Sequence, residues 1–283
     1  MKHLERFESL AAEYNGFILD LWGVIHDGLH PYPGATDCLA RLRAAGRRVV
    51  FLSNAPRRAA PVREALRDMG VADTLYDGVI TSGEATHSML RDRPDPWWRA
   101  LGTRLYHLGP ERDRTVFADL GLDKMSNPRD ASFVLNTGPD DQTDPTDPAA
   151  FDAVLQACWM ARLPMICANP DLEVVRGGVR VVCAGTLAQR YAEMGGDVRS
   201  LGKPDPTIYG PVLELLRLPR ERVLAVGDSL RTDIAGAAAA GIASAWVLGG
   251  IHEMHPDENM DRIEAEARDA VLSPIATLPR FAW

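Results

Sequence analysis

Short apolar runs bounded by Gly, Pro, Asn and Asp alternate along this chain with segments whose apolar residues recur at helical spacing. Gly16–Trp22 (GFILDLW), Arg47–Asn54 (RRVVFLSN) and Asp77–Gly83 (DGVITSG) read as strands, because a run that is apolar on both faces fits the interior of a parallel sheet. Between them, Gly34–Gly46 and Arg57–Gly70 read as helices, each closed by a glycine suited to a left-handed cap. The pattern resumes with a strand over Arg222–Ser229, a helix over Thr232–Gly241 and a strand over Ala243–Gly250. Strands and helices in alternation predict a doubly wound α/β parallel sheet, of which the first and last thirds of the chain are the two halves.

The texture changes at Arg91–Gly102 (RDRPDPWWRALG), where prolines and a double tryptophan interrupt the rhythm and a linker is expected. Beyond it, Thr103–Gly109, Ala131–Gly138, Leu163–Asn169 and Val179–Gly185 are strand candidates, with helices around Arg114–Gly121 and Pro148–Leu163. The middle third is therefore expected to be an inserted α/β domain over residues 101–198, interrupting a core formed by 1–100 and 199–283. The acidic loop Thr137–Pro148 carries four aspartates. It reads as a solvated turn ending in a helix cap at Asp147, ahead of Pro148, rather than as a metal site.

A chain of 283 residues can hold two compact units, and 46% hydrophobic with 25% charged residues is the composition of a folded protein. The formal charge of −8 speaks against a nucleic-acid partner, since phosphate backbones are bound by basic faces. Cys38, Cys158, Cys167 and Cys183 show neither zinc-ligand nor disulfide spacing. With no apolar leader and no membrane-length apolar stretch, a cytoplasmic location is expected.

Four polar clusters fall at the carboxyl ends of the expected core strands, where open α/β sheets bind ligands. They are Asp20; Ser53 with Asn54; Lys203 in Gly202–Gly210 (GKPDPTIYG); and Asp228 with Asp233 in GDSLRTDIAG. A carboxylate nucleophile, a hydroxyl, a lysine and a carboxylate pair supply what phosphoryl transfer requires: an in-line attacker, a cation and fixed donors. Asp20 can attack phosphorus, Lys203 can face its oxygens, and Asp228 can hold Mg²⁺ through hard oxygen ligands. Gly202-Lys203 is not a P-loop, because Pro204 replaces the required Ser/Thr and the upstream glycine is missing. No dinucleotide fingerprint, Gly-x-Ser-x-Gly elbow or His-Glu-x-x-His pair occurs.

These clusters resemble the four motifs of the haloacid dehalogenase superfamily. ITSGEAT, CANPD, CAGTLAQRYAEMGG, GKPDPTIYG and GDSLRTDIAGAAAAGI are similar to its class IIA, NagD-like phosphatase branch, over Phe17 to Gly250. The resemblance implies a Rossmann-like core with an inserted C2-type α/β cap and hydrolysis of a small phosphorylated metabolite (a sugar phosphate, nucleotide or cofactor phosphate). It implies Asp20 as nucleophile, Ser53 and Asn54 gripping the phosphoryl group, Lys203 stabilising it, and Mg²⁺ on Asp20, Asp228 and the Trp22 carbonyl with Asp233 in support. Asn169 and Asp171 of the cap would select the substrate, and a cap surface bearing Trp159 or Trp97 and Trp98 could support a homodimer.

Trp22 departs from that pattern, for the family's phosphatases carry there an aspartate that protonates the leaving oxygen and later activates water. A tryptophan keeps the backbone carbonyl and loses the acid, a loss worth ~10²–10⁴-fold where the leaving group needs a proton. His26 or Asp27 could substitute from the following loop, although Asp27-Gly28 reads better as the turn of a hairpin flap. His30, His252 and His255 could also approach the site, but loop histidines are more often solvated. Two other functions remain open at this level: a metal-independent carbon–halogen hydrolase using Asp20 on carbon, and a non-catalytic binder of phosphorylated ligands.

Overall fold

The computed structural model describes residues 1–252 and 260–283. In chain order its first strands are β1 (Lys2–His3), β2 (Gly16–Leu19), β3 (Arg48–Ser53) and β4 (Gly78–Thr81). The middle strands are β5 (Arg104–Leu108), β6 (Asp123–Met125), β7 (Phe133–Asn136), β8 (Met165–Cys167), β9 (Glu173–Arg176), β10 (Val179–Val182) and β11 (Val198–Ser200). The last are β12 (Val223–Gly227), β13 (Ala243–Val247) and β14 (Ala276–Leu278). The larger sheet runs β1-β14-β13-β12-β2-β3-β4 with every pairing parallel, so the first and last thirds of the chain share one sheet.

The period-2 alternation of a strand explains why these runs are apolar throughout. Phe17, Leu19, Val49, Phe51, Leu224 and Val226 face one buried layer, while Ile18, Val50, Leu52, Val223 and Ala225 face the layer on the other side. Each of these side chains larger than alanine contributes about 1.5–3 kcal/mol by leaving water. A one-residue slip in any central strand would therefore exchange two packed faces, which pins the strand ends that carry the polar clusters.

A second parallel sheet, β11-β8-β7-β5-β6, is built from the middle of the chain and is likewise covered on both faces. It differs in detail from the sequence reading. Val179–Gly185 is not one of its strands: β10 pairs antiparallel with β9 in a separate hairpin, and Ala184 already begins the helix Ala184–Glu193. The hairpin turns at Gly177 and Gly178, whose φ of 56° and 80° are the two left-handed residues that a tight hairpin turn demands. The sheet gains β6 and β11 instead, three residues each. The helix expected around Arg114–Gly121 is a 3₁₀ turn over Glu111–Val116.

The expected linker holds a short helix, Pro96–Ala100, because Asp95 caps it through the amides of Trp97 and Trp98 with proline at its first position. Trp98 is buried there, and Trp97 donates its ring N–H to Asp197 beneath the Arg199 guanidinium, which leaves Trp159 as the exposed one of the three tryptophans considered for an interface. Asp147 caps Pro148–Phe151 as expected. Among the described residues, no helix is long and apolar enough to cross a membrane.

Candidate active site

The order β12-β2-β3 places three sequence clusters side by side. Asp228 follows β12, Asp20 follows β2 with its amide bonded to the Val226 carbonyl at 2.9 Å, and Ser53 ends β3. The chain re-enters beneath them after β11 and delivers Lys203, whose side chain is 2% exposed. Its ammonium lies 2.8 Å from Asp20 Oδ1, 2.7 Å from Asp233 Oδ1 and 3.0 Å from the Leu52 carbonyl oxygen. All three ammonium protons thus have acceptors, and Lys203 is locked between two carboxylates.

Asp20, Asp228 and Asp233 can each present an oxygen within 4.8 Å of the others. Burial pushes the Asp20 carboxyl up to about 7 against the pull of Lys203, with repulsion from Asp233 and Asp171 adding to the rise. Asp228 is driven well above the usual carboxylate range, by burial first and by Asp20 and Asp233 next. Burial would lower the Lys203 ammonium, but Asp20, Asp233 and Asp171 together hold it well above its ordinary value. One lysine does not balance this much buried negative charge. A cluster of hard oxygen donors short of positive charge fits a divalent cation.

The loop after Asp20 is shaped to let Asp228 approach. Gly23 has φ of 77°, and a Cβ there would come 1.8 Å from Asp228 Oδ2, so no other residue fits. The amide of Ile251 donates to the same oxygen at 2.9 Å, and the Trp246 ring N–H donates to the Asp228 carbonyl oxygen at 2.9 Å.

Residues 17–123 match the haloacid dehalogenase-like hydrolase model, and residues 200–278 match the HAD-hydrolase-like model. A hydrolase of the haloacid dehalogenase-like family from Brucella suis 1330 superposes with a TM-score of 0.84 at 30% identity, covering 99% of this chain and 100% of that one. The chain belongs to the haloacid dehalogenase-like hydrolase family. D-glycerol 3-phosphate phosphatase of Mycobacterium tuberculosis is 30% identical over 247 residues, which are 87% of this chain; the match spans 66% of that enzyme's length. A glycerol phosphate phosphatase from the same organism, solved in complex with calcium, superposes with a TM-score of 0.62 at 26% identity, covering 86% of this chain and 68% of that one.

Within this haloacid dehalogenase-like hydrolase, Asn54 is buried and fully engaged. Its side-chain amide donates to Asp171 Oδ1 at 2.8 Å and to the Lys203 carbonyl at 3.1 Å, and its oxygen accepts the Lys203 amide at 2.8 Å and the Ser82 hydroxyl at 3.2 Å. Those bonds exhaust what a carboxamide can make. Ser53 Oγ accepts the Ala55 amide at 3.2 Å and keeps a hydroxyl proton to donate. Asn169 accepts the Asp171 amide at 3.0 Å, closing the turn that brings Asp171 to Asn54.

Trp22 is partly buried against the following loop, where the Asp27 carboxylate accepts the Leu29 and His30 amides at 2.8 and 2.7 Å and so forms the turn of a flap. His26 is buried, its ring T-shaped to the Trp22 indole, and burial lowers it to about 4, so the ring is neutral at pH 7. His30 is exposed, the side chain of His252 is not among those described, and His255 lies outside the described residues. A cleft of about 500 Å³, lined in part by Trp22, Arg57, Met69, Asp113, Asn169 and Asp171, shares Trp22 and Asp171 with the small cavity that Asp20 and Asp228 line. Sequence reading passed over Arg57, which pairs through Nε with the buried Asp113 at 3.1 Å and so ties the end of β3 to the segment after β5. Its signal was the Arg57-Arg58 pair directly after the Ser53-Asn54 cluster.

Proposed function

We propose that this hydrolase is a Mg²⁺-dependent phosphatase of a small phosphorylated metabolite, acting through an aspartyl-phosphate at Asp20. The observation that carries the reading is Lys203, buried and 2.8 Å from the Asp20 carboxylate within a three-aspartate cluster. The chain's resemblance, in sequence and in structure, to what is named as glycerol phosphate phosphatase of Mycobacterium tuberculosis supports it. Asp20, Asp228 and the Trp22 carbonyl would hold the ion with Asp233 in support, and bound there it supplies positive charge that lets a carboxylate meet a phosphate anion.

The chain's own residues supply the rest. An Asp20 oxygen bonds to phosphorus as the ester P–O bond breaks with its electron pair on the departing oxygen, which takes a proton from water; a second water then cleaves the acyl phosphate, returning the carboxylate and releasing phosphate. Lys203, its protons already placed, stabilises the phosphoryl group through its charge beside Asp20, and the Ser53 hydroxyl donates to the phosphoryl oxygens. Asn54 acts on them indirectly, by fixing the backbone of Lys203 and the side chain of Asp171. The unit around the second sheet serves as a cap over the core, with Asn169 and Asp171 facing the substrate and the exposed Trp159 offering a surface for a homodimer. A cytoplasmic location fits four reduced, buried cysteines.

The experiment is a screen of the purified protein against a broad panel of phosphate esters with Mg²⁺ and with chelator. Phosphate release that chelator abolishes is the expected result. No release from any ester, with phosphorylated ligands still bound, would replace the phosphatase by a binding protein.

A further inference from the structure

The β9–β10 hairpin comes from the middle of the chain, yet it lies across the reaction cavity of the larger sheet. Val174 and Val175 of β9 line that cavity together with Asp20, Asp228, Gly250 and Ile251. At the turn, a Cβ on Gly177 would stand 3.0 Å from Leu29 Cδ1, so the tip reaches the flap that follows Trp22.

Arg180 on β10 anchors the hairpin on the side of Asp228. It lies opposite Val175 in the antiparallel register, and the Glu173 carboxylate, two residues along the facing strand, accepts its Nη1. Its Nη2 donates to the Ile251 carbonyl oxygen at 2.8 Å. The amide of that same Ile251 donates to Asp228 Oδ2 at 2.9 Å and, among the described residues, is the one group that donates to this carboxylate. Ile251 therefore takes one bond from the hairpin and gives one to the buried carboxylate. The turn before it is packed directly on the site: Gly250 has φ of 77°, and a Cβ there would collide with Asp228 Oδ2 and with the Gly23 Cα.

A carboxylate already fixed by an outer hydrogen bond binds a metal more tightly than one free to turn, because less freedom is lost when the ion arrives. We infer that Arg180 is a positioning residue for the cation site: by holding the Ile251 carbonyl it sets the amide that orients Asp228, so the hairpin completes a site whose ligands all lie in the other unit. The inference rests on the reading of Asp20 and Asp228 as Mg²⁺ ligands and deepens it. Charge alone predicts the opposite sign. Arg180 is a cation beside a cation site, so if it acted only through its field, its removal would tighten Mg²⁺ binding.

Calorimetric titration of Mg²⁺ into the full chain reads that sign. Arg180→Ala is expected to raise the Mg²⁺ Kd by about 5-fold, less than the ~10–100-fold that follows loss of a group bonded directly to a metal ligand. Its melt in chelator should stay where it was, because an exposed ion pair contributes little to the fold. Arg180→Lys, which keeps a donor and the charge, should recover most of the affinity. Arg176→Ala removes another exposed arginine of the same hairpin and should leave the Kd unchanged or lower it. An unchanged or lowered Kd in Arg180→Ala, or an equal rise in Arg176→Ala, would overturn the positioning role and leave the Mg²⁺ site and the phosphatase standing. The 5-fold rise together with no turnover of any ester would support the positioning role and remove the phosphatase alone. No Mg²⁺ binding by the unsubstituted protein would overturn the cation site and this inference with it.

Discussion

The two parallel sheets end their central strands in different chemistry. In the larger sheet the carboxyl ends of β12, β2 and β3 present Asp228, Asp20 and Ser53 around one buried lysine. In the smaller sheet β7 ends in Asn136, whose amide donates to the Ala184 carbonyl at 2.9 Å and whose oxygen accepts the Gly138 amide at 3.1 Å. Just beyond β8, Asn169 accepts the amide of Asp171 two residues on. The positions are equivalent, yet the amides close their own loops whereas the carboxylates are left crowded and short of positive charge. A strand end becomes a reaction centre through that charge imbalance, since neutral amides satisfied by backbone groups store no comparable demand for a cation or an anion.

The sharpest way to break the comparison is to remove the key polar group from each side. Lys203→Ala should lower kcat/KM by about 10²–10³-fold or more, as expected when a preorganised charge facing the transition state is lost. Asn136→Ala should leave kcat near its original value and cost about 1–3 kcal/mol of stability through the buried groups it leaves unpaired. Steady-state kinetics and denaturant melts on the two variants decide between them; an equal loss of kcat in Asn136→Ala would make the smaller sheet part of the reaction machinery.

Metal binding should follow the same division. Saturating Mg²⁺ is expected to stabilise the protein by about 2.7 kcal/mol at a concentration 100 times its Kd. Asp228→Asn should abolish that thermal shift and, in chelator, melt higher than the original protein because one buried negative charge is gone. A Mg²⁺ shift undiminished in Asp228→Asn would place the ion elsewhere.

Asn54 joins the two regions, for its partners Asp171 and Lys203 lie 117 and 149 residues away in the chain. Asn54→Ala should cost about 1–3 kcal/mol and reduce kcat more than it raises KM, because it loosens Lys203 instead of removing a direct substrate contact. A rise confined to KM would make Asn54 a binding contact.

The smallest effect distinguishes the smaller sheet alone. Burial lowers His107 to about 4, Lys124 pushing the same way and Glu111 opposing, while its Nε2 meets the Thr137 hydroxyl at 2.9 Å. The unfolded chain takes up this proton first, so the contribution of His107 is present at neutral pH and is lost as pH falls from about 6.5 toward 4. His26 shifts likewise in the larger unit. His107→Gln should therefore reduce, without abolishing, the acid-side slope of stability against pH. An unchanged slope would mean that His107 is no less easily protonated in the fold.

The larger sheet and its carboxylates were legible because their signals are local: an apolar run that ends in a carboxylate or hydroxyl. Asp20, Ser53 and Asp228 converge simply because their strands are neighbours. The partners of Asn54 were not legible, since nothing near residue 54 encodes a contact with Lys203 or Asp171. The Arg57–Asp113 pair escaped for the same reason. The hairpin at Gly177-Gly178 did carry a local signal, a Gly-Gly pair between the valine-rich segments Val174–Arg176 and Val179–Val182, that pairs the strand read from Val179 with β9 instead of with the smaller sheet. In the short strands β6 and β11, three residues each, pairing is set by the neighbouring strand and not by any apolar run of their own.

The central claim is that Asp20 attacks the phosphoryl group, and Asp20→Asn tests it most directly because charge is removed at nearly constant shape. Phosphate release by this variant should be compared with that of the original enzyme on its best ester in saturating Mg²⁺, with ligand affinity measured alongside by calorimetry. Release falling to background while the ester still binds is the predicted result; release at the original rate would contradict an aspartyl-phosphate at Asp20.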